Sequence, residues 1–366
     1  MADYELYLAS SLGDRLAGPL PNLRSLEWSI ALDNVGVCRA EFGLDGWDPL
    51  WCNEALRLEL WRSTPGGAMR LLQVYFLQDF GQDLQTTQSG DVELVWVRGF
   101  DLNYLLTTRI VAAAAGSAGA AKNGYAAAVM AAYVDEALLT DAGRDISGEF
   151  DLQISNLATA GADIHYAASR GNLLRVVQNC AAASGAAGSP VRFWIAPRGS
   201  AAGTLYIRAR PWGRDLRGER PLSAEAASLY DVAWSHLGGN SANYAYVGGQ
   251  GQEGNRTVVQ VSLGGMTALT RREVWLENTQ MTDADALTTW GRMRLWEQRP
   301  TDSFRGTIRD TEVSRFGRDW DLGDYVRAED RRGARWDAEV AAVAGQVTAN
   351  GEQVWAALAA EAPVST

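Results

Sequence analysis

Short runs in which apolar and polar residues alternate recur along this chain, and that period of two marks strands with one buried face. In the first hundred residues the pattern predicts strands over Tyr4–Ala9, Ser25–Leu32, Gly36–Leu44, Ala55–Ser63, Met69–Phe80 and Val92–Phe100. Turn chemistry at Asp33-Asn34, Asp45-Gly46, Pro65-Gly66-Gly67 and Ser89-Gly90-Asp91 separates them. Short strands at this spacing predict a sandwich or a small barrel. A short helix is expected at Asp101–Thr107, with Asp101 as its N-cap.

The pattern then changes. Ile110–Lys122 is an Ala/Gly/Ser tract with little side-chain area to bury, so it reads as a mobile loop or linker. Helical spacing follows at Tyr125–Leu139, where Tyr125, Val129 and Tyr133 share a stripe, and again at Asn172–Ala183, which ends at a Ser184-Gly185 cap. Strands at Val191–Ala196 and Gly203–Arg210 make a hairpin around Arg198-Gly199. Residues 107–217 therefore read as an α+β module between two β-rich blocks, 1–106 and 218–366. The expected fold class is mainly β with an α+β insertion.

Alternation returns in Ser228–Gln280, with strands at Asp231–His236, Asn243–Val247, Arg256–Leu263 and Arg271–Leu276. A glycine-rich tip, Gly248–Gly254, joins the second and third of these; its glycines admit positive φ and close backbone approach. One long helix is expected over 283–298, capped by Thr282 with Asp285 and followed by Pro300. Its narrow stripe of Leu287, Trp290, Met293 and Trp296 packs on the adjoining sheet or meets another subunit. Strands Phe304–Arg309, Asp324–Glu329, Ala334–Val343 and Gln353–Leu358 complete the chain, the middle two joined by a hairpin through Asp330-Arg331-Arg332-Gly333.

Composition narrows the function classes. With 366 residues the chain can hold two or three domains, and 47% hydrophobic with 21% charged residues is ordinary for a globular protein. No apolar run approaches the ~20 residues of a membrane span, and the first residues lack a signal-peptide pattern, so cytoplasmic synthesis without export is expected. Cys38, Cys52 and Cys180 are widely spaced in apolar surroundings and read as buried small hydrophobes rather than a disulfide or metal set. A net charge of -11 argues against a nucleic-acid clamp. Lys122 is the only lysine; a GC-rich genome or a preference for guanidinium forks at interfaces accounts for that, and both can hold. Fourteen tryptophans add to the interface signal, since Trp and Arg are enriched among interface anchors.

Catalytic chemistry finds no support. His165 and His236 are the only histidines, and neither lies beside a nucleophile elbow or in a zinc spacing. Gly249-x-Gly251-x-x-Gly254 has the letters of a dinucleotide fingerprint, but a strand follows it where a helix N-terminus is needed to receive the pyrophosphate. Asp319, Asp321, Asp324 and Asp330 lack the glycine and glutamate of a calcium loop. Interleaved with Arg315, Arg318, Arg327, Arg331, Arg332 and Arg335, they read as a solvated, mutually neutralising hairpin surface. No cofactor or metal is expected.

The run Tyr246-Val247-Gly248-Gly249-Gln250-Gly251-Gln252-Glu253-Gly254-Asn255-Arg256-Thr257, with Arg271-Arg272-Glu273 after it, resembles the central signature of siphophage tail-tip and baseplate hub proteins. That family is related to the baseplate hub of contractile-tailed phages and to the N-terminal structural part of tail-associated lysins. Gly213-Arg214-Asp215 opens the approach to that signature, and Leu322-Gly323-Asp324-Tyr325-Val326 and Gly171-Asn172-Leu173-Leu174 are weaker matches. The resemblance implies a homotrimer in which each chain supplies two β-barrel tube domains to a pseudo-sixfold ring. Such a ring joins the tail tube or distal tail protein to a tip, spike or fibre protein, close to the tape measure protein, at the distal end of the virion tail. DNA would meet it only in passage through the lumen. Gly248, Gly249, Gly251, Asn255, Arg256, Arg271, Arg272, Glu273, Trp290 and Trp296 are the candidate assembly residues. The rival readings are a tail-associated cell-wall hydrolase and a carbohydrate-binding β-sandwich using Trp47, Trp51 and Trp61.

Overall fold

The computed structural model describes the chain except residues 1–2, 45–46, 49–50, 64–66, 88–89, 113–119, 141–142, 157, 169, 220–221, 224, 226–227, 240, 265, 331 and 364–366. Alternation in the first block builds β1 (Tyr4–Ala9), β2 (Arg15–Ala17), β3 (Leu23–Ala31), β4 (Val37–Gly43), β5 (Arg57–Arg62), β6 (Arg70–Thr87) and β7 (Gly90–Phe100). A 3-10 turn at Leu102–Thr107 follows, and the Asp101 carboxylate accepts the Asn103 N–H at 3.1 Å, the cap anticipated for it. The middle holds β8 (Ala120–Tyr125), α1 (Ala126–Asp135), β9 (Asp151–Asn156), β10 (Asp163–Ala168), α2 (Leu173–Ala186), β11 (Val191–Gly199) and β12 (Ala202–Ala209). The last block holds β13 (Leu222–Ser223), β14 (Leu229–Leu237), β15 (Tyr244–Gly248), β16 (Val258–Ser262), β17 (Glu273–Glu277), α3 (Ala284–Glu297), β18 (Thr301–Arg309), β19 (Tyr325–Glu329), β20 (Arg335–Thr348) and β21 (Gly351–Pro363).

The chain is mainly β with an α+β insertion. Strands from both flanks lie in one 13-stranded sheet, whose main path runs β14-β18-β21-β20-β3-β4-β7-β6-β5-β1-β2, and they do not close into barrels. The seam is the antiparallel β3–β20 pair, from Ala31 opposite Ala342 to Leu26 opposite Val347. Leu26, Trp28 and Ile30 on one side and Val340 and Val343 on the other alternate inward, so one core serves both flanks. A buried ion cluster fastens the same two flanks. Arg62, on β5, bonds Asp310 at 2.8 Å and Glu352 at 2.9 Å, and Glu352 also accepts from the Tyr4 hydroxyl at 2.6 Å.

In the middle module α1 and α2 pack with the β11-β12-β9 sheet around Val129, Met130, Val177, Phe193 and Leu205. Polar ties dock it on the large sheet. Arg57 donates to the Ser200 and Glu149 carbonyls at 2.9 and 3.1 Å, and burial pulls its guanidinium down to about 10. Arg192 bridges Asp33 at 2.7 Å and the fully buried Glu339 at 2.9 Å.

Several boundaries differ from expectation. Helix α2 runs past Ser184-Gly185 because its last amides still find carbonyls, and the left-handed residue is Gly188 at φ +88°. Helix α3 is capped by Asp283 rather than Thr282, its carboxylate accepting the Ala286 N–H at 2.7 Å. Residues 113–119 of the Ala/Gly/Ser tract lie outside the described residues, while Ala120–Lys122 open β8. Ser228–Gln280 divides between two sheets. β14 joins the large one through β18, and β16-β15-β17 form a separate three-stranded sheet covered by α3.

Candidate functional site

The glycine tip between β15 and β16 is packed against the start of α3. Gly248 is buried against the side chains of Arg256 and Trp275. The Gly249 N–H donates to the Thr257 carbonyl at 2.7 Å, and a Cβ on Gly249 would lie 2.8 Å from the Met281 carbonyl oxygen. Gly251 has φ +110°, and its Cβ would lie 2.6 Å from the Asn255 carbonyl oxygen. Both positions therefore require glycine, one for space and one for conformation as well. Asn255 closes a 3-10 turn, Glu253–Asn255, its N–H donating to the Gln252 carbonyl at 3.2 Å. Gln250 N–H to the Met281 carbonyl and Asn278 N–H to the Gly248 carbonyl, both 2.8 Å, lace the tip down.

The arginines of the signature brace their own chain. Arg256 donates from Nε to the Gly249 carbonyl at 3.1 Å and from Nη1 to Glu277 at 2.8 Å, with its guanidinium over the Trp275 ring. The Trp275 indole N–H reaches the same carboxylate at 2.9 Å. Those two donors hold the Glu277 carboxyl below its usual range. Arg271 stacks 3.6 Å over Tyr244, donates to the Tyr246 hydroxyl at 3.0 Å and pairs with Glu273 at 2.5 Å. Arg272 ties the β17 approach to the Gly238 carbonyl and, at 2.5 Å, to the Ser241 hydroxyl.

Trp290 is half-buried where the middle-module core meets the small-sheet core. Trp296 is half-buried with Arg299 3.7 Å over its ring. Leu287 and Met293 are fully buried as a packing stripe requires; Leu295, which falls off that stripe, is fully buried too. On the sheet's other face the pleat sets Tyr246 directly beside Trp275, which is 49% exposed. Tyr, Trp and Arg together on an exposed sheet face are the composition of an interface core.

The opening of the signature at Gly213-Arg214 meets the weaker match at Gly323-Asp324-Tyr325, though they stand 110 residues apart. Gly213 N–H donates to the Gly323 carbonyl at 2.8 Å, Arg214 N–H to the Asp324 carboxylate at 2.7 Å, and Tyr325 N–H to the Arg214 carbonyl at 2.8 Å. The Arg214 guanidinium closes the joint on Asp324 at 2.6 Å. Asp324 is therefore buried and paired, which corrects its assignment to a solvated surface; Asp319 pairs with Arg318 at 2.7 Å. This pair was invisible in the sequence because nothing local couples position 214 to 324.

The residues of the rival readings are otherwise engaged. Trp47 stacks on Phe42 and Trp51 meets Trp47 edge-on, both against the large core, while the Trp61 indole donates to Glu59 at 2.8 Å. Cys38 and Cys180 are buried, which pushes both thiols up, and Cys52 is half-buried. Among the described residues no group of three His, Cys, Asp or Glu is placed to hold a metal ion.

A cleft of about 340 Å³ separates β10 and α2 from the 278–283 segment, with Tyr166, Asn179, Met281 and Trp290 in its walls. His165 Nε2 lies 3.6 Å from the carboxylate of Asp283, which is also in its walls. Replacing Asp283 with Ala removes the α3 cap together with this contact. We expect a loss of about 1 kcal/mol in unfolding free energy, read by denaturant titration.

Phage tail proteins of known structure are similar to this chain in fold along nearly its whole length. The 43 kDa tail protein of prophage MuSo2 from Shewanella oneidensis aligns over 97% of this chain and 98% of its own, with TM-score 0.59 and 11% identity. The tail protein of Neisseria meningitidis MC58 aligns over 97% and 96% at TM-score 0.54 and 12% identity. Prophage tail protein gp18 of Listeria monocytogenes EGD-e aligns over 96% and 94% at TM-score 0.52 and 10% identity. No curated protein matches the sequence. The family described as Siphovirus ReqiPepy6 Gp37-like protein matches residues 80–358, and the chain belongs to it. With that membership it is a siphovirus-type protein, and its fold is that of phage tail proteins.

Proposed function

We propose that the chain is the hub of the tail tip, three copies forming a pseudo-sixfold ring between the tail tube or distal tail protein and the tip, spike or fibre protein. The observation that carries this is the single sheet shared by both flanks, because each copy then brings two β-rich halves, rigidly joined at β3–β20, to one ring. Three copies of a two-part wall match a sixfold tube on one side and a threefold tip on the other. The division into tube-type flanks, 1–106 and 218–366, around a middle domain, 107–217, belongs to this proposal. So does a non-enzymatic role.

A net charge of -11 supports a lumen that repels DNA phosphates and lets the genome slide. Native mass spectrometry of the purified chain tests the reading. Three copies are expected, and a strict monomer at high concentration, or a ring whose lumen maps as basic, counts against it. Release of peptidoglycan fragments by the purified protein would instead revive the hydrolase.

A further inference from the structure

The small sheet gives one face to α3 and leaves the other bare. Ala245, Val247 and Val261, with Val274 and Leu276, point into the core that α3 covers. The pleat therefore turns Tyr244, Tyr246 and Gly248 of β15 outward. Antiparallel pairing sets Gln260 of β16 beside Tyr246, and parallel pairing sets Trp275 of β17 on its other side. Glu273 and Glu277 flank Trp275 along β17 on the same face.

The Trp275 indole reaches across the sheet onto Gly248, where a Cβ would lie 2.7 Å from its Cζ2. Only glycine leaves that space. Glu277 holds the indole N–H at 2.9 Å, and the Arg256 guanidinium sits against one side of the ring, 5.4 Å from its centre. With 49% of the residue exposed, the other side of the ring meets water. Tyr244 differs, because Arg271 already stacks 3.6 Å from its ring centre. Trp275 is thus a flat apolar plate, fixed in place and open on one side.

Bonds within the chain fix the polar groups around this plate and leave each with capacity to spare. Glu277 receives both Arg256 and Trp275 on Oε1, and Glu273 receives Arg271 on Oε1. Among the described residues their Oε2 atoms take no bond. Gln260 gives its Oε1 to the Tyr244 hydroxyl and keeps its amide N–H donors. The Tyr246 hydroxyl accepts from Arg271 at 3.0 Å and keeps its own proton to donate. Acceptors therefore stand on the β17 side of the indole, and donors on the side of β15 and β16.

A plate bordered by both donors and acceptors suits a sugar, whose ring C–H groups form an apolar face while each hydroxyl donates and accepts. We propose that this face binds a neutral hexopyranose glycan, one ring stacked on Trp275 and the hydroxyls of that ring and its neighbour held by Glu273, Glu277, Gln260 and Tyr246. The face measures about 10 Å across its strands and about 13 Å along them, room for two linked rings. A polyanion is disfavoured, since the free oxygens belong to carboxylates and the chain carries a net charge of -11. A proline-rich segment is disfavoured too, because the indole N–H that would hold a peptide carbonyl is already given to Glu277. The site lies within one chain and does not depend on the ring.

The test runs the purified chain in native gels cast with mannan, galactan or dextran, and with polygalacturonate as the acidic counterpart. Retardation in at least one neutral gel and none in polygalacturonate is expected. Trp275→Ala should weaken it at least about tenfold, Trp275→Phe less, and Tyr246→Phe a few-fold. Each variant should keep its circular dichroism and its oligomeric state in native mass spectrometry. Val313→Ala, which trims a bare apolar residue off this sheet, should leave retardation unchanged. No retardation in any neutral gel, retardation in polygalacturonate alone, or retardation that survives Trp275→Ala overturns the site. Loss of oligomers on Trp275→Ala shows that a second copy covers the face, and overturns it as well. A monomer that is still retarded in a neutral gel supports the site while removing the ring.

Discussion

Replacing Arg62 with Ala is expected to cost roughly 3 to 5 kcal/mol of folding stability, the scale for leaving a buried charge uncompensated. Arg62, Asp310 and Glu352 are 1%, 5% and 7% exposed, so water cannot take over the role of the guanidinium. The loss should depend on pH. Burial pushes the Asp310 carboxyl up, Arg62 pulls it down, and Glu352 adds to the rise. Without Arg62 the carboxyl rises further in the folded state and stays ordinary in the unfolded one. A raised folded value means that stability falls as pH climbs through it and recovers as pH drops back toward the unfolded value. The deficit of the variant, measured by denaturant unfolding, should therefore shrink in mild acid. A deficit unchanged between neutral and acidic pH would show that the carboxylates are not what the arginine compensates.

The second large effect is expected at the tip. Gly251→Val forces a β-branched side chain to φ +110°, for which strain alone costs about 1 to 3 kcal/mol, and brings it against the Asn255 carbonyl. Gly249→Val drives a Cβ into the Met281 carbonyl, which the Gln250 N–H holds, and into Leu287 of α3. The double variant should lose its small sheet or fail to form the ring, seen as a lowered Tm and as monomer in native mass spectrometry. An unaltered ring would show that the tip plays no part in assembly.

Much of this was legible from local pattern. Alternation located β1 from Tyr4 to Ala9 to the residue, and Asp101 announced its cap because capping is settled within three positions. The Gly249 and Gly251 requirements could be anticipated as a kind, although the partners that impose them, Met281 and Asn255, could not all be named. The seam escaped the sequence because Leu26 and Val347 meet through a register that no neighbour encodes. Arg62 looked like any strand arginine, its partners lying 248 and 290 positions away. Arg256, Arg271 and Arg272 were expected to act in assembly, but whether an arginine grips its own chain depends on carbonyls and carboxylates that only folding brings near.

The β3–β20 seam also sets an order of events during synthesis. The middle module closes its core with segments near one another along the chain, so it can condense while translation continues. Strand β3 has one of its two edges satisfied only by β20, which is synthesised long after it. Until then the edge of β3 is an exposed template, and any delay lengthens its exposure to other nascent chains. Slow arrival of β20 and β21 would then favour aggregates over correctly folded chains, which ties the yield of folded protein to how promptly those two strands follow.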